Sequence, residues 1–539
     1  MATRVRRRLI SLSPEIRRQS LIAGLLAFLV FMAGVYGQAP IGFDARFVLF
    51  AQEMLRHGPT VFPTTYGQPY ADYSAVSTLF IWLLSLPFGT VNAFTAWAPS
   101  AVAGALIVTL MYRLLAPYSR RWALISIALL MLTSGFVTEV RAVSQDLMLA
   151  AVAFAVFYLG YAHEHFAGRR HWPLIFALLL LGFGIRGPIG LVVPTGMLCS
   201  YYLLNREWSR LLVFGVLASL LLAACVGLLL WLAKLSGGPV FLQDVIRMQF
   251  MGRMDGSEGV SGSLYYFTSS FGNYALAYPL ALLVLVAAWL SKPQQRGPAL
   301  RLVQYCAAAG LIVMVGLSIP QAKKARYLLP MLPMAAIIAA YPFQVAHGRV
   351  FRYLRGLIMG LWLVTPGLLL VVLLVAQRRF PEQLSDVSWV LIALGLLQLL
   401  ALSRLLLPRW RVEVLALSAV LALWTVYAAV FEPVERRLYD TQAFSHAVFA
   451  QVQQNPAPLV LHGMGKDAKA IKFMVNLSQD LQPQFSDSIQ QLEALKGPAW
   501  LMMDRSDLPS LKGTPLESAQ PVLSGRFDKN DYVLLWLKP

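Results

Sequence analysis

The sequence predicts a polytopic α-helical membrane protein with about 13 transmembrane helices, followed by a small C-terminal α/β domain. Of the 539 residues, 58% are apolar and only 13% are charged, and the mean hydropathy is +0.62. Apolar runs of about 17 to 25 residues recur along the chain, and each is long enough to cross a bilayer. Because a soluble fold does not bury so much apolar surface, the composition excludes the soluble classes.

The spans can be placed by their hydropathy. The predicted spans are residues 20–37, 96–116, 122–138, 146–162, 172–186, 188–204, 210–233, 272–291, 300–319, 327–345, 354–376, 387–406 and 412–431. The segment 74–90 is shorter and is broken by Pro87, so we predict an interfacial or re-entrant helix there. The basic start MATRVRRR precedes the first apolar run, which we interpret as a retained anchor rather than a cleaved signal peptide.

The distribution of charge predicts which side of the membrane each loop faces. If the N-terminus is cytoplasmic, most basic loops also fall in the cytoplasm, as the positive-inside rule requires. These loops are residues 120–121, 169–170, 206–210, 292–301, 349–355 and 409–411. The outer loops 38–95 and 234–271 mix acids with few bases, and an odd number of spans places the C-terminal tail outside.

The tail after the last span has a soluble composition. APLVLHG, PAWLMMD and DYVLLWL are typical of strands, and DAKAIKFMVNL and SDSIQQLEAL are typical of helices between them. We therefore predict a transmembrane domain of residues 1–431 and a soluble α/β domain of residues 432–539 on the outer side.

The net charge and the cysteines exclude other classes. The charge of +19 would favour nucleic acid as the partner of a soluble protein, but the chain has no RNA- or DNA-binding motif. In a membrane protein, loop arginines set the topology and contact anionic lipid headgroups, so we predict membrane lipids as partners and no nucleic acid. Cys199, Cys225 and Cys306 fall in predicted spans, so they provide no disulfide framework and no cysteine zinc site.

One outer segment, IPQAKKARYLLPMLP, runs against the charge bias. Lys323, Lys324 and Arg326 lie on the predicted outer face, with no acid within ten residues on either side. One interpretation is that these side chains snorkel to lipid headgroups. The other is a dedicated phosphate site, because cations at a membrane boundary usually meet an anion.

The first outer loop holds two carboxylates. Apolar residues recur at helical spacing between Phe43 and Leu55, which predicts a short helix on the membrane surface. Asp44 lies in its first turn, where a carboxylate either caps the helix or acts on a substrate. Asp72 follows a turn formed at Gly67 and Pro69.

Further ionisable groups fall on the same predicted side. Asp146 opens the fourth span, where it either pairs with a neighbour such as Arg141 or contacts substrate. Arg186 lies on a tight outer hairpin, and Arg253 precedes the segment GSEGVSGS and Tyr265. This combination suits an enzyme acting on an anionic, lipid-borne substrate. A flippase or transporter, the alternative, favours polar residues within the spans.

Three sequence blocks, in this order along the chain, carry a family resemblance. The first block, GFDARFVLFAQEMLRHGPTVFPTTYGQPYADYSAVSTLFIWL, resembles the pattern D-E-x-R-Y-A…E-M…G-x-P-Y-x-[DE]-K-P-P-L. The second, GIRGPIGLVVP, resembles a hairpin with the pattern T-K-G-x-x-x-L-x-x-P. The third, KKARYLLPMLP, resembles a segment with the pattern [KR]-x-x-x-Y-[LI]-L-P-x-x-P. Over residues 20–345 the chain resembles the lipid-dependent sugar transferases of the GT-C superfamily. It is most similar to bacterial lipid A 4-amino-4-deoxy-L-arabinose transferases and to protein O-mannosyltransferases.

The resemblance implies a GT-C fold in the bacterial inner membrane and an inverting glycosyltransferase with a periplasmic active site. The implied donor is an undecaprenyl-phosphate-linked sugar, and the acceptor is a lipid such as lipid A, a glycan or a protein. The implied catalytic residues are Asp44 and Asp72. The implied substrate-binding residues are Arg46, Tyr70, Asp146, Arg186, Arg253, Tyr265, Lys323, Lys324, Arg326 and Tyr327.

The chain also departs from the family pattern. Phe43 occupies the position of the first acid of the Asp-Glu pair, and Tyr73 replaces a lysine. Gln249 and Phe250 stand where the aminoarabinose transferases have Glu-His, so their metal-binding histidine is absent. We therefore predict no metal ligand, and a divalent cation stays open.

The implied reaction assigns a role to each charge. The cations of residues 323–326 would stabilise the departing polyprenyl phosphate. Asp44 would take the proton of a hydroxyl acceptor. If the acceptor is itself a phosphate, no base is needed, and the carboxylates would orient the sugar instead.

Overall fold

A computed structural model describes residues 13–166, 171–257, 259–291, 297–345, 348–384, 386–495 and 497–538. Several charges used to predict the topology lie outside these residues, namely the MATRVRRR stretch, Arg169, Arg170, Lys292 and Arg296.

The membrane part is helical. Its helices are α1 (Pro14–Met32), α2 (Asp44–His57), α3 (Val76–Ser85), α4 (Ala93–Leu115), α5 (Arg120–Met131), α6 (Ser134–Val140), α7 (Gln145–His165), α8 (Trp172–Arg186), α9 (Pro188–Leu204), α10 (Trp208–Ile246), α11 (Gly252–Met254), α12 (Tyr265–Asn273), α13 (Ala277–Leu290), α14 (Pro298–Ser318), α15 (Leu332–Ala339), α16 (Arg349–Arg379), α17 (Ser388–Leu406) and α18 (Arg411–Val426). Twelve of the predicted spans overlap one of these helices or a bent pair of them, and the span predicted at 327–345 combines α15 with the 3-10 helices Ala325–Met331 and Tyr341–Phe343. Among the described residues, nine helical segments are long and apolar enough to cross a bilayer, two bent pairs qualify when joined, and α8 and α9 are shorter.

Two predicted spans are bent rather than straight. The chain turns by 74° between α5 and α6 and by 113° between α12 and α13. At the first bend Thr133 Oγ1 donates to the Leu129 carbonyl at 2.7 Å, a back-bond that commonly bends helices. At the second bend Leu276 has a φ of +84°, which ends helical geometry. Hydropathy alone cannot detect either bend, because both sides of each bend are apolar.

The hairpin between α8 and α9 is tight. Gly187 has a φ of +62°, a conformation that favours glycine. Farther from the turn, a Cβ on Gly190 would lie 1.8 Å from the Gly182 carbonyl oxygen, so only glycine permits this approach of the two helices. The hairpin therefore fixes Arg186 at the last residue of α8.

The loop predicted to be the first outer loop forms a compact structure between α1 and α4. The helix predicted between Phe43 and Leu55 is confirmed as α2, and strands β1 (Thr64–Thr65) and β2 (Gln68–Pro69) form a hairpin before α3. The α2 side chains Phe47, Phe50 and Met54 are buried. Burial of this apolar face holds the start of α2 against the neighbouring loops.

The C-terminal tail folds into a small α/β unit. It contains α19 (Glu432–Leu438), α20 (Gln442–Gln454), β3 (Leu459–His462), α21 (Ala470–Met474), β4 (Gln484–Ser486), α22 (Ile489–Glu493), β5 (Ala499–Asp504), β6 (Pro521–Phe527) and β7 (Asn530–Leu537). The sheet order is β4-β3-β5-β7-β6, with β3 parallel to both β4 and β5 and the remaining pairs antiparallel. The three predicted strands are confirmed as β3, β5 and β7.

The tail is not separate from the outer loop. Phe47 and Phe50 of α2 belong to the same hydrophobic cluster as Phe444 of α20 and Ile471 of α21. Gln52 Nε2 also donates to the Val475 carbonyl at 3.1 Å. The tail is therefore packed directly on the loop that carries Asp44 and Asp72.

Candidate active site

A buried carboxylate joins two arginines at the centre of the site. Asp146, at the start of α7, lies 3.0 Å from Arg186 Nε through Oδ1 and 3.0 Å from Arg326 Nε through Oδ2. The Asp146 side chain is 4% exposed and that of Arg186 is 2% exposed. A buried carboxylate between two guanidinium groups leaves net positive charge at this point, which is the charge an anionic ligand requires.

The two guanidinium groups keep unused hydrogen-bonding capacity. Both Nε contacts with Asp146 are ion pairs rather than aligned hydrogen bonds, and Arg186 Nη2 is buried with no acceptor among the described residues. The Gln145 amide, oriented to satisfy both of its atoms, accepts from Arg186 Nη1 at 2.7 Å and donates to the Ile185 carbonyl at 2.8 Å. Buried N–H groups without acceptors are uncommon in proteins and are suited to a bound anion.

This arrangement corrects two interpretations of the sequence. Arg141 is not the partner of Asp146, because it forms a two-point pair with Glu432, with Nε 2.7 Å from Oε1 and Nη2 2.5 Å from Oε2. Arg326 is not an unpaired cation either, since Asp146 lies against it. Nearness along the chain favoured Arg141, whereas the fold brings residues from distant hairpins to Asp146.

Aromatic rings enclose the arginines. The ring of Tyr327 lies 4.9 Å from the Arg186 guanidinium carbon, and the ring of Tyr73 lies 5.6 Å from it. On the other side of Asp146, the guanidinium carbon of Arg326 lies 3.8 Å from the centre of the Phe43 ring. These cation–π contacts hold the guanidinium planes in fixed orientations.

Asp44 lies beside this cluster but does not cap its helix. Its Oδ1 accepts from the Val143 N–H at 2.8 Å, and the N-terminus of α2 has no side-chain cap, so the capping interpretation is wrong. Asp44 and Arg326 line one cavity of about 300 Å³. Burial raises the pKa of Asp44 from 3.8 to about 6, aided by the nearby Glu435 carboxylate and opposed by the Val143 N–H and by Arg326.

Asp72 is held by a second arginine. Arg253 Nη2 donates to Asp72 Oδ1 at 2.8 Å, and both side chains are mostly buried. Next to this pair, Gln249 Nε2 donates to the Ala71 carbonyl at 2.9 Å. Gln249 thus uses its amide to hold the loop, and Phe250 offers no ligand atom, so the two residues do not fit the metal site of the aminoarabinose transferases.

The basic segment around residue 324 is tied to the second outer loop. The N–H groups of Gln321 and Ala322 both donate to the Arg253 carbonyl, at 3.0 and 3.2 Å. Lys323 Nζ donates to the Ser261 carbonyl at 3.1 Å. Lys324 is exposed and forms no ion pair with any described residue. The backbone of this segment is therefore fixed to Arg253, while the Lys324 side chain is exposed to solvent.

The remaining predicted residues lie around this centre. The Arg46 guanidinium carbon lies 5.4 Å from the Tyr70 ring and 5.8 Å from the Tyr73 ring, and its Nη2 donates to the Asp467 carbonyl of the tail at 2.7 Å. Tyr265 begins α12, with its ring 5.3 Å from that of Tyr266. No contact joins Tyr265 directly to the other predicted site residues in the described part of the chain.

Sequence reasoning misses several groups at this site. In the sequence Tyr73 stands out only as a departure from a lysine, yet its ring lies between Arg46 and Arg186. Glu139 and Glu435 line the cavity of Asp44. The run FEPVERRL, directly after the last predicted span, is a signal for Glu435, because it places acids at the predicted outer boundary.

A family comparison matches part of the chain. Residues 72–231 match the model of the dolichyl-phosphate-mannose-protein mannosyltransferase family. This match confirms the resemblance to lipid-dependent sugar transferases over the segment that contains Asp72, Asp146 and Arg186. No protein with a curated description matches the chain by sequence.

The solved structures identify the fold as that of ArnT. The crystal structure of ArnT from Cupriavidus metallidurans bound to undecaprenyl phosphate is 20% identical, covers 96% of this chain and 98% of its own, and has a TM-score of 0.71. The structure of ArnT in the apo state is 19% identical with the same coverage and a TM-score of 0.70. The chain is therefore a multi-pass membrane protein with an ArnT-like GT-C fold.

Proposed function

We propose that the protein is a membrane glycosyltransferase that moves a sugar from an undecaprenyl-phosphate donor to an acceptor at the outer face of the bacterial inner membrane. The observation that carries this proposal is the Asp146 bridge, which holds Arg186 and Arg326 with N–H groups lacking acceptors. A polyprenyl phosphate supplies the missing anion at the depth where the spans end. The similar ArnT crystal structure has undecaprenyl phosphate bound, which supports this choice of anion.

The cations have a specific role in transfer. The bond between the anomeric carbon and the phosphate oxygen breaks, and the departing polyprenyl phosphate gains negative charge. Arg326, fixed by Asp146 and Phe43, and the exposed Lys324 are placed to stabilise that charge. Groups that are already oriented before the reaction stabilise the transition state without reorganising.

Asp44 supplies the base for a hydroxyl acceptor. With a pKa of about 6 it is mostly ionised at pH 7 but remains basic enough to accept a proton. The acceptor oxygen then bonds to the anomeric carbon as its proton passes to Asp44, and attack opposite the phosphate inverts the configuration. If the acceptor is a phosphate, Asp44 and Asp72 orient the sugar instead.

The cavities favour a lipid-borne acceptor over a peptide. A largely apolar cavity of about 570 Å³ lies between α16 and the segment from α18 to α19. It shares Phe431 and Glu435 with the cavity that Asp44 lines. A hydrocarbon chain in the first cavity would therefore place its head group near Asp44. This continuity between an apolar and a polar space suits an amphipathic substrate.

The predicted topology supports the periplasmic side. The site collects residues from the first outer loop, the start of α7, the hairpin after α8 and the segment before α15, all of which the alternation of predicted spans assigns to one side. Their direct contacts, such as Arg253 with Asp72 and Arg326 with Asp146, are consistent with that assignment. The C-terminal tail packs on the same loop.

The experiment is sugar transfer by purified protein in lipid nanodiscs. Labelled undecaprenyl-phosphate sugars are offered with lipid A, a glycan or a peptide as acceptor, and the labelled product is mapped. Lys324→Ala is expected to abolish transfer, whereas Arg247→Ala, which alters an exposed pair with Asp244, is expected to keep it. Failure of the wild type to transfer any donor, or full activity of Lys324→Ala, would refute the proposal.

A further inference from the structure

A second group of ionisable side chains lies where the tail meets α2, away from the Asp146 cluster. It consists of Glu53 and His57 on α2 and Asp480 in the loop before β4. Within the described ranges, this is the one group of three histidine, cysteine or acidic residues whose ligand atoms all lie within 4.8 Å of one another.

The helix places two of these ligands on one face. Residues four apart on an α-helix are neighbours, so Glu53 and His57 point in the same direction. Arg56, on the same helix, donates from Nη2 to the Leu477 carbonyl at 2.7 Å and so fixes the tail loop next to them. The third ligand, Asp480, lies three residues after Leu477 in that loop, and its Oδ2 lies 2.7 Å from His57 Nε2.

Glu53 carries the independent sign of a missing ligand. Its side chain is 4% exposed, yet it forms no ion pair with any described residue. Thr64 Oγ1 donates to Oε2 at a long 3.4 Å, and Oε1 has no hydrogen-bond partner in the described part of the chain. A carboxylate with so little exposure, only one long hydrogen bond and a second carboxylate and a histidine beside it is suited to bind a cation.

Arg56 does not fill that role. It donates from Nη1 to Asp480 Oδ1 at 2.7 Å, on the side of the carboxylate away from His57. This contact leaves Oδ2 directed at His57 Nε2. A carboxylate held on one oxygen by an arginine and free to bind metal through the other is a common supporting arrangement in metal sites.

We propose that Glu53, His57 and Asp480 bind a divalent transition-metal ion that fastens the C-terminal tail to α2. One imidazole and two carboxylates, with a position left for water, suit Zn²⁺ among the first-row metals. Around a tetrahedral Zn²⁺ the ligand atoms lie about 3.4 Å apart. The His57 and Asp480 side chains, 53% and 39% exposed, can move to reach that spacing.

The group of Glu53, His57 and Asp480 is separate from the proposed donor site. Glu53, His57 and Asp480 make no contact with Asp146, Arg186 or Arg326 among the described residues. The metal has a structural role, because it joins residues from the first outer loop and the tail. Its presence therefore does not depend on the proposed sugar transfer.

The test is Zn²⁺ binding by the full chain in nanodiscs after removal of metals with a chelator. Calorimetric titration with Zn²⁺ is expected to show one site, and Glu53→Gln and His57→Gln are each expected to weaken it more than about tenfold. The control is His446→Gln, which alters an exposed histidine bonded to the Asn476 carbonyl at the same tail. Zn²⁺ is also expected to raise the Tm of the wild type and of the control but not of the two ligand variants.

Two results would overturn the proposal. One is a wild-type protein that binds no Zn²⁺ in the titration. The other is binding of the same stoichiometry and affinity in Glu53→Gln and His57→Gln as in the wild type, because the ion would then lie elsewhere. Asp480→Asn changes the third ligand without altering α2, so weaker Zn²⁺ binding by this variant could not be attributed to a defect in the helix.

Discussion

The ionisation of Asp44 is expected to set the acid limb of the pH–activity profile. With a pKa of about 6, roughly nine tenths of the Asp44 carboxyl groups are ionised at pH 7 and roughly one tenth at pH 5. If the carboxylate accepts the acceptor's proton, kcat/KM falls about tenfold over that range. Asp44→Asn removes the base and is expected to abolish transfer to a hydroxyl acceptor, while its amide oxygen still accepts from the Val143 N–H.

A substitution at Glu435 tests the same acid limb of the pH–activity profile without changing Asp44. Its carboxylate raises the pKa of Asp44, so Glu435→Gln is expected to move the acid limb to lower pH without removing the base. The assay is transfer of a labelled sugar from pH 5 to pH 8 by wild type, Asp44→Asn and Glu435→Gln in nanodiscs. An active Asp44→Asn variant, or an acid limb that Glu435→Gln leaves in place, contradicts the base role.

The same pKa predicts a change in stability. In the folded protein Asp44 binds its proton more tightly than in the unfolded chain, so the associated stability is complete below pH 3.8 and is lost as the pH rises through about 6. The shift corresponds to at most about 3 kcal/mol at pH 7.5. Asp44→Asn is therefore expected to be inactive but at least as stable as the wild type, measured by thermal unfolding in detergent.

Three further predictions address the cations and their partners. Asp146→Asn removes the charge that compensates the buried guanidinium of Arg186, so it is expected to lower the free energy of unfolding by about 3 to 5 kcal/mol. The control Asp244→Asn, which alters an exposed ion pair, is expected to change this free energy by less than about 1 kcal/mol. Equal effects of the two substitutions in denaturant titrations would contradict the prediction. Arg186→Lys keeps the charge but loses the planar contacts with Tyr327 and Tyr73, so donor KM is expected to rise about tenfold, and an unchanged KM would argue against donor contact. Arg253→Gln leaves Asp72 unpaired and is expected to weaken binding of undecaprenyl phosphate about tenfold by calorimetry, and unaltered binding would remove Arg253 from the site.

The spans were predictable because a bilayer imposes a minimum apolar length on each helix. The helix α2 was predictable for a related reason, since its apolar residues recur with helical period on one side. The bends at Thr133 and Leu276 were not, because they depend on a side-chain back-bond and on one backbone conformation. Strand β6 was missed because it is an edge strand, mostly exposed and interrupted by Gly525.

The members of the site were easier to predict than their partners. Charge bias singled out residues 323–326, and the family motifs singled out Asp44, Asp72 and Arg186. That Asp146 binds Arg186 and Arg326 depends on the packing of separate hairpins, which a single sequence does not encode locally. The same limit applies to Tyr73, because its place in the site depends on contacts between its ring and the guanidinium groups of Arg46 and Arg186.

The most direct test of the central claim is the accessibility of the segment around Lys324 with and without ligand. The probe is Gln321→Cys, because Gln321 is exposed in the same segment and the substitution keeps every proposed phosphate contact. In this variant, with the native residues Cys199, Cys225 and Cys306 replaced, a membrane-impermeant maleimide is applied to intact cells and then to nanodiscs containing undecaprenyl phosphate. Arg409→Cys, exposed on the predicted cytoplasmic side, is the control for leakage. We predict that the Gln321→Cys variant is labelled from outside the cell, that the Arg409→Cys variant is not, and that undecaprenyl phosphate slows labelling at position 321 in nanodiscs. Labelling at position 321 only after the membrane is opened, or at a rate that undecaprenyl phosphate leaves unchanged, would contradict the claim that this face binds the lipid phosphate.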